Sequence, residues 1–221
     1  MVKSIFKITT RSKLPEKKLG FLEGIKVQNS KGAMLDISDY WKTDTVLLKV
    51  LRRFGCPLCR YESRMLSELK PEFDALGVRL VAVGFDVLGL YDFMAGGYWE
   101  WEILLDQDRS LHTALNLNKL PISSGLKNLI SATTIAATSA AHKAGIIGDF
   151  KGDAFQLGGT FVIEKGTGIV LYEHRQTGTG SFTSVKELYE CCGGDPDEVE
   201  DKAPKECISY MSMCNLKSKC F

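Results

Sequence analysis

A change of hydrophobic period beside two closely spaced cysteines is the feature that most constrains the fold of this chain. Residues 45–51 form a nearly continuous apolar run rich in β-formers, which predicts a buried central strand. Apolar side chains then recur at three- and four-residue steps across 58–76, as on one face of a helix. Cys56 and Cys59 lie where the strand ends and this helix begins. Because 78–84 predicts a second buried strand, we expect a right-handed parallel β-α-β crossover.

The rest of the pattern completes an α/β fold. Pro71 should kink the long helix or end its first part, and Gly77 should terminate it. Short strands are predicted within 20–44, and the glycine-containing turn at 165–168 between two β-rich segments predicts a hairpin. Further helices are predicted around 88–95, 110–117 and 184–192, with a helix or loop-helix insertion at 125–144. The prediction is therefore a central mixed sheet flanked by helices, with strands near its N-terminus.

Composition divides the chain into two parts. Residues 1–194 carry the alternating β and α patterns of one domain with a single core. From Asp195 onward the sequence is acidic, polar and cysteine-containing. We predict a C-terminal tail at 195–221, either disordered or draped over the domain.

Charge and cysteine usage narrow the function further. Lys plus Arg number 28 and Asp plus Glu 27, and this net charge of +1 gives no reason to expect nucleic acid or a membrane surface as partner. No apolar run approaches the ~18 residues of a membrane span or resembles a signal peptide, so the expected location is the cytosol. The seven cysteines are odd in number, and five lie in the last 31 residues, which is unlike a secreted disulfide scaffold.

The pair Cys56 and Cys59 is the candidate reactive site. A helix N-terminus carries unpaired N–H groups and partial positive charge, Pro57 suits its first turn, and Arg52 and Arg53 add cationic charge. Such surroundings lower a thiol pKa from ~8.5 to roughly 3.5–7.5. Because residues three apart on a first helical turn can form a disulfide, one thiol can attack and the other resolve. We assign attack to Cys56, at the more exposed end, and resolution to Cys59, while attack by Cys59 stays open.

Two other interpretations of the pair stay open. A CxxC motif is half of many zinc sites, but zinc needs four ligands and the three histidines of this chain, His112, His142 and His174, are far apart in sequence. We therefore predict no metal. The second alternative is a pair of buried, inert thiols, although a position between a strand and a helix is typical of redox pairs.

The residues around the pair resemble a known family. Residues 51–60, which read LRRFGCPLCR, are similar to the active-site segment of peroxiredoxin-like proteins related to the AhpC/TSA group. Segments 77–84, 88–90 and 152–160 are similar to corresponding segments of the prostamide/prostaglandin F synthase family. The resemblance extends from about residue 32 to 193, which is most of the chain.

The resemblance implies a thioredoxin-like fold and an enzyme that reduces prostaglandin endoperoxide, free or as its ethanolamide, to the F-type prostaglandin. The family's cysteine pair corresponds to Cys56 and Cys59, and its electrons are attributed to NADPH. No G-x-G-x-x-G fingerprint follows a strand here, so we predict no tightly bound cofactor and an indirect supply from NADPH through thioredoxin or a similar relay. The predicted partners are thus a lipid endoperoxide and a thioredoxin-type reductant. The residues predicted to bind substrate or support the site electrostatically are Arg53, Phe54, Gly55, Pro57, Gly159 and Thr160.

Two departures from related families qualify this interpretation. Ordinary peroxiredoxins carry Thr three residues before the reactive cysteine, where this chain has Arg53. Thioredoxins carry a cis-proline opposite the pair, where this chain has Gly158 and Gly159. The glycines would either let substrate or backbone approach the thiols or serve only as turn residues.

Alternative functions stay open alongside the endoperoxide reductase. One is a general thiol peroxidase for hydrogen peroxide or lipid hydroperoxides, against which Arg53 in place of Thr argues. Another is a non-enzymatic redox adaptor that binds partners according to its disulfide state. A lipid substrate also needs an apolar groove, for which the candidate walls are Phe54, Leu58, Tyr98, Trp99 and Trp101, although aromatic residues are more often core.

Overall fold

The computed structural model describes residues 20–121, 130–149, 151–204 and 207–208. Its strands are β1 (Lys26–Gln28), β2 (Met34–Asp36), β3 (Thr45–Val50), β4 (Val78–Gly84), β5 (Glu102–Leu105), β6 (Gly159–Ile163) and β7 (Val170–Arg175). Its α-helices are α1 (Asp39–Thr43), α2 (Pro57–Ser67), α3 (Lys70–Ala75), α4 (Leu90–Ala95), α5 (Ser110–Ala114), α6 (Ala132–Lys143) and α7 (Val185–Cys191). A 3-10 helix, Gly20–Leu22, precedes β1.

One mixed sheet joins all seven of these strands in the order β2-β1-β5-β4-β3-β6-β7. The central strand β3 runs parallel to β4 and antiparallel to β6, and β4 runs parallel to β5. The crossover predicted around the cysteine pair is therefore β3-α2-α3-β4. The α/β prediction, with its central mixed sheet and its strands near the N-terminus, is confirmed.

Each face of the sheet supports its own core. On one face, Leu47 of β3 and Leu80 of β4 pack in the cluster that contains both cysteines and helix α2. On the other face, Val46 and Leu48 pack with α1 and α5. This alternation follows from the two-residue period of a strand, and burial on both faces explains why 45–51 reads as continuously apolar.

The long helix predicted over 58–76 is divided. Helix α2 ends at Ser67 and α3 begins at Lys70, which places Pro71 in the first turn of α3, where its missing N–H costs no hydrogen bond. Gly77 then adopts a φ of +67°, which glycine tolerates without strain, and β4 begins at the next residue. The predicted interruption at Pro71 and termination at Gly77 are confirmed.

The other predicted elements are present with adjusted ends. The hairpin is formed by β6 and β7, and the helices expected around 88–95, 110–117 and 184–192 are α4, α5 and α7. Helix α5 ends early, and Asn116 just beyond it has a φ of +52°. Of the insertion expected at 125–144, α6 forms the second part, and 122–129 lie outside the described residues.

The described part of the C-terminal tail lies against the domain. Asp201 accepts hydrogen bonds from Ser184 and from the backbone N–H of Val185 at the start of α7. Phe182 donates its backbone N–H to the Cys207 carbonyl at 2.6 Å. The rest of the predicted tail is outside the described residues, and the domain division at residue 194 stays a prediction. Within the described ranges, no helix has the length and apolar character needed to cross a membrane.

Candidate active site

Cys56 and Cys59 lie where strand β3 is followed by helix α2. Cys56 is the N-cap of α2, with extended backbone at φ −73° and ψ 123°, and Pro57 is the first helical residue. The Cys56 carbonyl accepts the first helical hydrogen bond from the Arg60 N–H at 3.0 Å. The predicted position of the pair at a helix start is therefore present, and the proline fits it because that position needs no N–H donor.

The two thiols are hydrogen-bonded to each other, and their pKa values are shifted in opposite directions. The hydrogen bond with Cys59 holds the pKa of Cys56 well below its usual range, and the charges of Arg52 and Arg53 act in the same direction against the opposing effect of burial. The same hydrogen bond, burial and the negative charge at Cys56 raise the pKa of Cys59. Cys56 is thus the more acidic thiol of the pair and Cys59 the less acidic one.

Exposure does not distinguish the two cysteines as the sequence suggested. Cys56 is 3% exposed and Cys59 is 4% exposed, so the expectation that Cys56 is the more exposed thiol is wrong. The first turn of α2 is covered by a segment distant in sequence, which the local pattern does not reveal. What distinguishes Cys56 is that it lines a cavity and carries the more acidic thiol.

That cavity has a volume of about 230 Å³ and opens to the surface. Its walls are Arg52, Arg53, Cys56, Pro57 and Leu58 from the cysteine segment, Thr134 and Thr138 from α6, Gly148 and Asp149, and Thr179. The sequence predicts α6 only as part of a helix or loop-helix insertion at 125–144, with no functional role. The alanine and threonine content of α6 gave no sign that it faces the thiols, because that depends on how the insertion folds back over α2.

Both arginines of the cysteine segment are buried and held by main-chain carbonyl groups. Arg52 donates to the carbonyls of Gln156, Ala154 and Thr179. Arg53 donates from Nη1 to the carbonyls of Asp149, at 3.0 Å, and Lys151, at 2.9 Å. Because backbone carbonyls carry no formal charge, both guanidinium groups remain sources of positive potential beside Cys56. Neither arginine is a solvated surface charge.

A segment that we call the strap, residues 145–149, covers the start of α2. Asp149 donates its N–H to the Gly55 carbonyl at 2.7 Å. A Cβ added at Gly148 would lie 2.2 Å from Pro57 Cδ, and one added at Gly55 would lie 2.0 Å from Asp149 Oδ1. Glycine at these two positions therefore permits the close contact that buries the thiols.

Arg60 ties the strap to the cysteine segment. Its guanidinium donates to the carbonyl of Phe54 at 2.9 Å, to the carbonyl of Ile147, and to the Asp149 carboxylate at 3.2 Å. The side chain is buried, so one cation joins the loop before Cys56 to the strap across α2. Sequence reasoning missed this role of Arg60, and the only available signal was its position directly after Cys59.

A second buried polar group lies on the same side of the sheet as α2. Lys49 of β3 and Glu62 of α2 form an ion pair at 2.6 Å, and both side chains are 1% exposed. The Glu62 carboxylate also accepts from the Thr183 N–H and from Gln176 Nε2. Gln176 in turn accepts from the Gly158 N–H at 3.0 Å, so the pair connects α2 with the segment before β6.

The remaining residues predicted for the site lie behind the cavity. Gly158 accommodates backbone and not substrate, since a Cβ there would lie 2.2 Å from the Val50 carbonyl oxygen. Gly159 pairs with Val50 at the start of β6, and Thr160 is fully buried, bonded to Lys49 and to Thr183. Phe54 is buried against Phe93, with ring centroids 5.2 Å apart.

Of the aromatic and aliphatic side chains considered as groove walls, the structure places only Leu58 at this cavity. Tyr98 lies under the guanidinium groups of Arg60 and Arg64, Trp99 donates to the Glu102 carbonyl, and Trp101 lines a separate cavity beside Arg79. The aromatic side chains are absent from this cavity because such large apolar groups stabilise the fold more by packing elsewhere than by lining an opening.

The other candidate groups have structural roles here. His174 is buried, and burial lowers its pKa. Burial raises the pKa of the Cys192 thiol to about 12, Cys191 is disulfide-bonded, and Cys207 donates to the Thr133 carbonyl at 3.1 Å. Cys191 is therefore not a free thiol. Over the described residues, no three His, Cys, Asp or Glu side chains come together in a group suited to a metal ion.

Comparison with known protein families identifies relatives of this chain. The model of the AhpC/TSA antioxidant enzyme family matches residues 65–178. The chain is 33% identical to the prostamide/prostaglandin F synthase of Bos taurus, over 73% of this chain and 81% of the relative. It is 31% identical to that of Homo sapiens, over 76% of this chain and 89% of the relative.

Solved structures of peroxiredoxins superpose on this chain. The Xanthomonas campestris bacterioferritin comigratory protein, whose structures were described together with its alkyl peroxide reduction activity, superposes with a TM-score of 0.52 at 14% identity. That match covers 76% of this chain and 90% of the other. Peroxiredoxin 6 of Arenicola marina superposes with a TM-score of 0.56 at 13% identity, covering 80% of this chain and 72% of the other. At these identities the likeness shows a peroxiredoxin-type thioredoxin fold.

Proposed function

This chain belongs to the peroxiredoxin-like AhpC/TSA family and to its prostamide/prostaglandin F synthase group, and from that premise we propose that it reduces prostaglandin endoperoxides through a dithiol–disulfide cycle of Cys56 and Cys59. Membership of the family makes it a thiol-dependent oxidoreductase that acts on peroxide bonds. The observation that carries the proposal is the acidic Cys56 thiol, hydrogen-bonded to Cys59 and lining an open cavity.

The proposed reaction begins at Cys56. Its thiolate attacks one oxygen of the endoperoxide, an S–O bond forms, and the O–O bond breaks. The second oxygen leaves as an alkoxide and takes a proton to become the first hydroxyl group. The low pKa of Cys56 supports this assignment, since the thiolate is the nucleophilic form.

Cys59 completes the reaction in the proposed sequence. Its sulfur loses its proton and attacks the sulfur of Cys56, so that the S–O bond breaks and the second oxygen leaves as an alkoxide that becomes the second hydroxyl group. The peroxide gains two electrons and two protons, and the dithiol becomes a disulfide. The hydrogen bond between the two sulfur atoms supports this step because it holds them in contact.

The arginines supply electrostatic support in this proposal. Arg52 and Arg53 line the cavity with Cys56. Hydrogen bonds to main-chain carbonyls hold both guanidinium groups in place. Preorganised positive charge stabilises an alkoxide as it forms, without the cost of rearranging solvent. Pro57 lines the cavity and Gly55 admits the strap residue Asp149 beside it, whereas Phe54, Gly159 and Thr160 act from behind as support.

We further propose that an external dithiol of the thioredoxin type reduces the Cys56–Cys59 disulfide, with NADPH as the ultimate electron donor and the cytosol as the location. An external dithiol balances the cycle, because its two electrons convert the disulfide back to two thiols. Pure protein with substrate and NADPH alone is therefore expected not to oxidise NADPH at the rate seen when thioredoxin and its reductase are added.

A product assay tests the proposal. Full-length wild type, Cys56→Ser and Cys59→Ser are incubated with prostaglandin endoperoxide, thioredoxin, thioredoxin reductase and NADPH, and F-type product is quantified by mass spectrometry. Cys192→Ser is the matched control, because Cys192 is the C-cap of α7 and does not line the cavity. We expect Cys56→Ser to abolish turnover, Cys59→Ser to consume one equivalent of substrate and hold it on the Cys56 sulfur without releasing F-type product, and the control to match wild type.

Two outcomes would contradict the proposal. Turnover of hydrogen peroxide or lipid hydroperoxides without endoperoxide reduction would instead assign a general thiol peroxidase. Partner capture that depends on Cys56, with no turnover of any peroxide, would assign a redox adaptor.

A further inference from the structure

The Arg52 guanidinium is held beside Cys56 by the main chain of two loops. Its hydrogen bonds to described residues all go to backbone carbonyls, those of Ala154, Gln156 and Thr179, at 3.4, 3.2 and 3.3 Å. Arg52 is 3% exposed, so water does little to fix its position. The place of its charge therefore depends on the entry loop, which we define as residues 152–158 before β6, and on the exit loop, residues 176–181 after β7.

Gln156 fixes the entry loop. Its buried side chain donates from Nε2 to the Leu117 carbonyl at 3.0 Å, on the segment that follows α5, and to the Leu157 carbonyl at 3.0 Å. Two of the three carbonyls that bind Arg52 belong to this loop. The Gln156 side chain therefore ties the main acceptors of the guanidinium to the segment after α5.

Gln176 joins the two loops to each other and to the cysteine helix. Its Oε1 accepts the Gly158 N–H of the entry loop at 3.0 Å. Its Nε2 donates to the Ser181 carbonyl of the exit loop at 3.2 Å and to the Glu62 carboxylate of α2 at 3.3 Å. One buried amide thus fixes both loops relative to the helix that begins at Cys56, and its donor and acceptor ends are each used.

The two glutamines fix these loops without adding charge. Because an amide carries no formal charge, it leaves the positive potential of Arg52 at Cys56 undiminished. Within the described residues, the charged or titratable groups that face Cys56 are Cys59, Arg52, Arg53 and Asp149. Arg53 donates to carbonyls outside both loops, and Asp149 is paired with Arg60. Arg52 is therefore the group through which the glutamines act on the thiol.

We propose that Gln156 and Gln176 are positioning residues that hold the Arg52 guanidinium at Cys56, where its charge stabilises the thiolate and the alkoxide formed beside it. Neither glutamine lines the cavity, so both act through Arg52. For the alkoxide, this inference rests on the proposed function. It adds the two side chains that keep the positive charge preorganised, which is what makes such a charge effective without rearrangement during the reaction.

The test follows the pH dependence of Cys56 alkylation in the full-length reduced protein. The probe is iodoacetamide, which reacts with the thiolate, and peptide mass spectrometry gives the midpoint for Cys56. The variants are Gln156→Met and Gln176→Met, in which a side chain of similar length loses its hydrogen bonds. Arg52→Met removes the charge itself, and each glutamine substitution is also combined with it. Gln107→Met is the matched control at an exposed glutamine.

We expect Gln156→Met and Gln176→Met to raise the midpoint relative to wild type, in the same direction as Arg52→Met, because a displaced guanidinium stabilises the thiolate less. In the Arg52→Met background neither substitution should raise the midpoint further, since the group that they position is gone. Gln107→Met should keep the wild-type midpoint. A purely structural loosening would change the alkylation rate at every pH and leave the midpoint in place.

An unchanged midpoint in either glutamine variant, or an equal rise with and without Arg52, would overturn the inference. Circular dichroism establishes which variants fold, and if Gln176→Met does not, Gln156→Met and its double variant decide the question. The readout uses no peroxide. Failure of wild type to reduce prostaglandin endoperoxide would therefore contradict the proposed function, while the midpoints would still decide whether the glutamines position Arg52.

Discussion

The Lys49 ammonium lies 2.6 Å from the Glu62 carboxylate, and both side chains are almost completely buried between β3 and the helix that carries the cysteines. Glu62 is also bonded to Gln176 and to the Thr183 N–H. Because the charges of Lys49 and Glu62 compensate each other, removing one partner leaves the other charge uncompensated in the core. The pair thereby links the stability of the fold to the position of α2.

Replacement of Glu62 with Gln is expected to lower the free energy of unfolding by about 3–5 kcal/mol, since Lys49 would remain buried without its counter-charge. Urea denaturation followed by circular dichroism measures the change. The matched control is Lys42→Met, which breaks the exposed pair with Asp39 and should cost about 1 kcal/mol or less. Equal effects of the two substitutions would show that burial of the Lys49–Glu62 pair has no special role.

Removal of the hydrogen bond between the thiols should make Cys56 less acidic. In Cys59→Ala the main cause of the low Cys56 pKa is lost, while Arg52 and Arg53 remain. Because only the thiolate reacts with iodoacetamide, the pH midpoint of Cys56 alkylation should move upward relative to wild type. Peptide mass spectrometry over a pH series measures this midpoint. Cys192→Ala should leave the midpoint in place, and an unchanged or lower midpoint in Cys59→Ala would contradict the assignment of Cys56 as the thiolate.

A side chain at Gly148 should displace the strap. The added Cβ of Gly148→Ala would lie 2.2 Å from Pro57 Cδ and 2.7 Å from Pro57 N, and backbone atoms cannot move aside cheaply. We expect a loss of about 1–3 kcal/mol of stability, typical of overpacking, together with faster alkylation of Cys56. Gly20→Ala is the control, because no atom lies within 4 Å of its added Cβ. Slower or unchanged alkylation in Gly148→Ala would show that the strap does not limit access.

Burial of His174 should make the protein less stable at mildly acidic pH. Desolvation lowers its pKa in the folded state, so below pH ~6.5 the unfolded chain binds the proton more readily and the free energy of unfolding falls. The loss attributable to this residue should be at most about 1.4 kcal/mol for each pH unit.

In His174→Phe the fall in unfolding free energy between pH 7 and pH 5 should be smaller than in wild type. Urea denaturation at both pH values measures the difference. His142→Gln is the control at an exposed histidine, and it should keep the wild-type dependence. An identical pH dependence in wild type and His174→Phe would contradict the effect of burial on this histidine.

Local sequence patterns predicted the elements that frame the site and little of what covers it. Local patterns of a few residues predict the apolar run of β3, the position of Cys56 at the helix start and Pro57 in the first turn. The cavity walls on α6 and the strap are about 80–90 residues further along the chain. No local rule specifies that Gly148 contacts Pro57, which is why the burial of both thiols and the role of Arg60 were not predicted.

The sequence by itself determined the α/β class, the β3-α2-α3-β4 crossover and the placement of two thiols at a helix start, because hydrophobic period, proline and glycine act over one or two turns. Only the tertiary structure decided which thiol is the more acidic, which positive charges face it and how large an opening reaches it. These properties depend on burial and on hydrogen bonds between distant segments, such as Asp149 with Gly55, and only a packed core fixes such contacts.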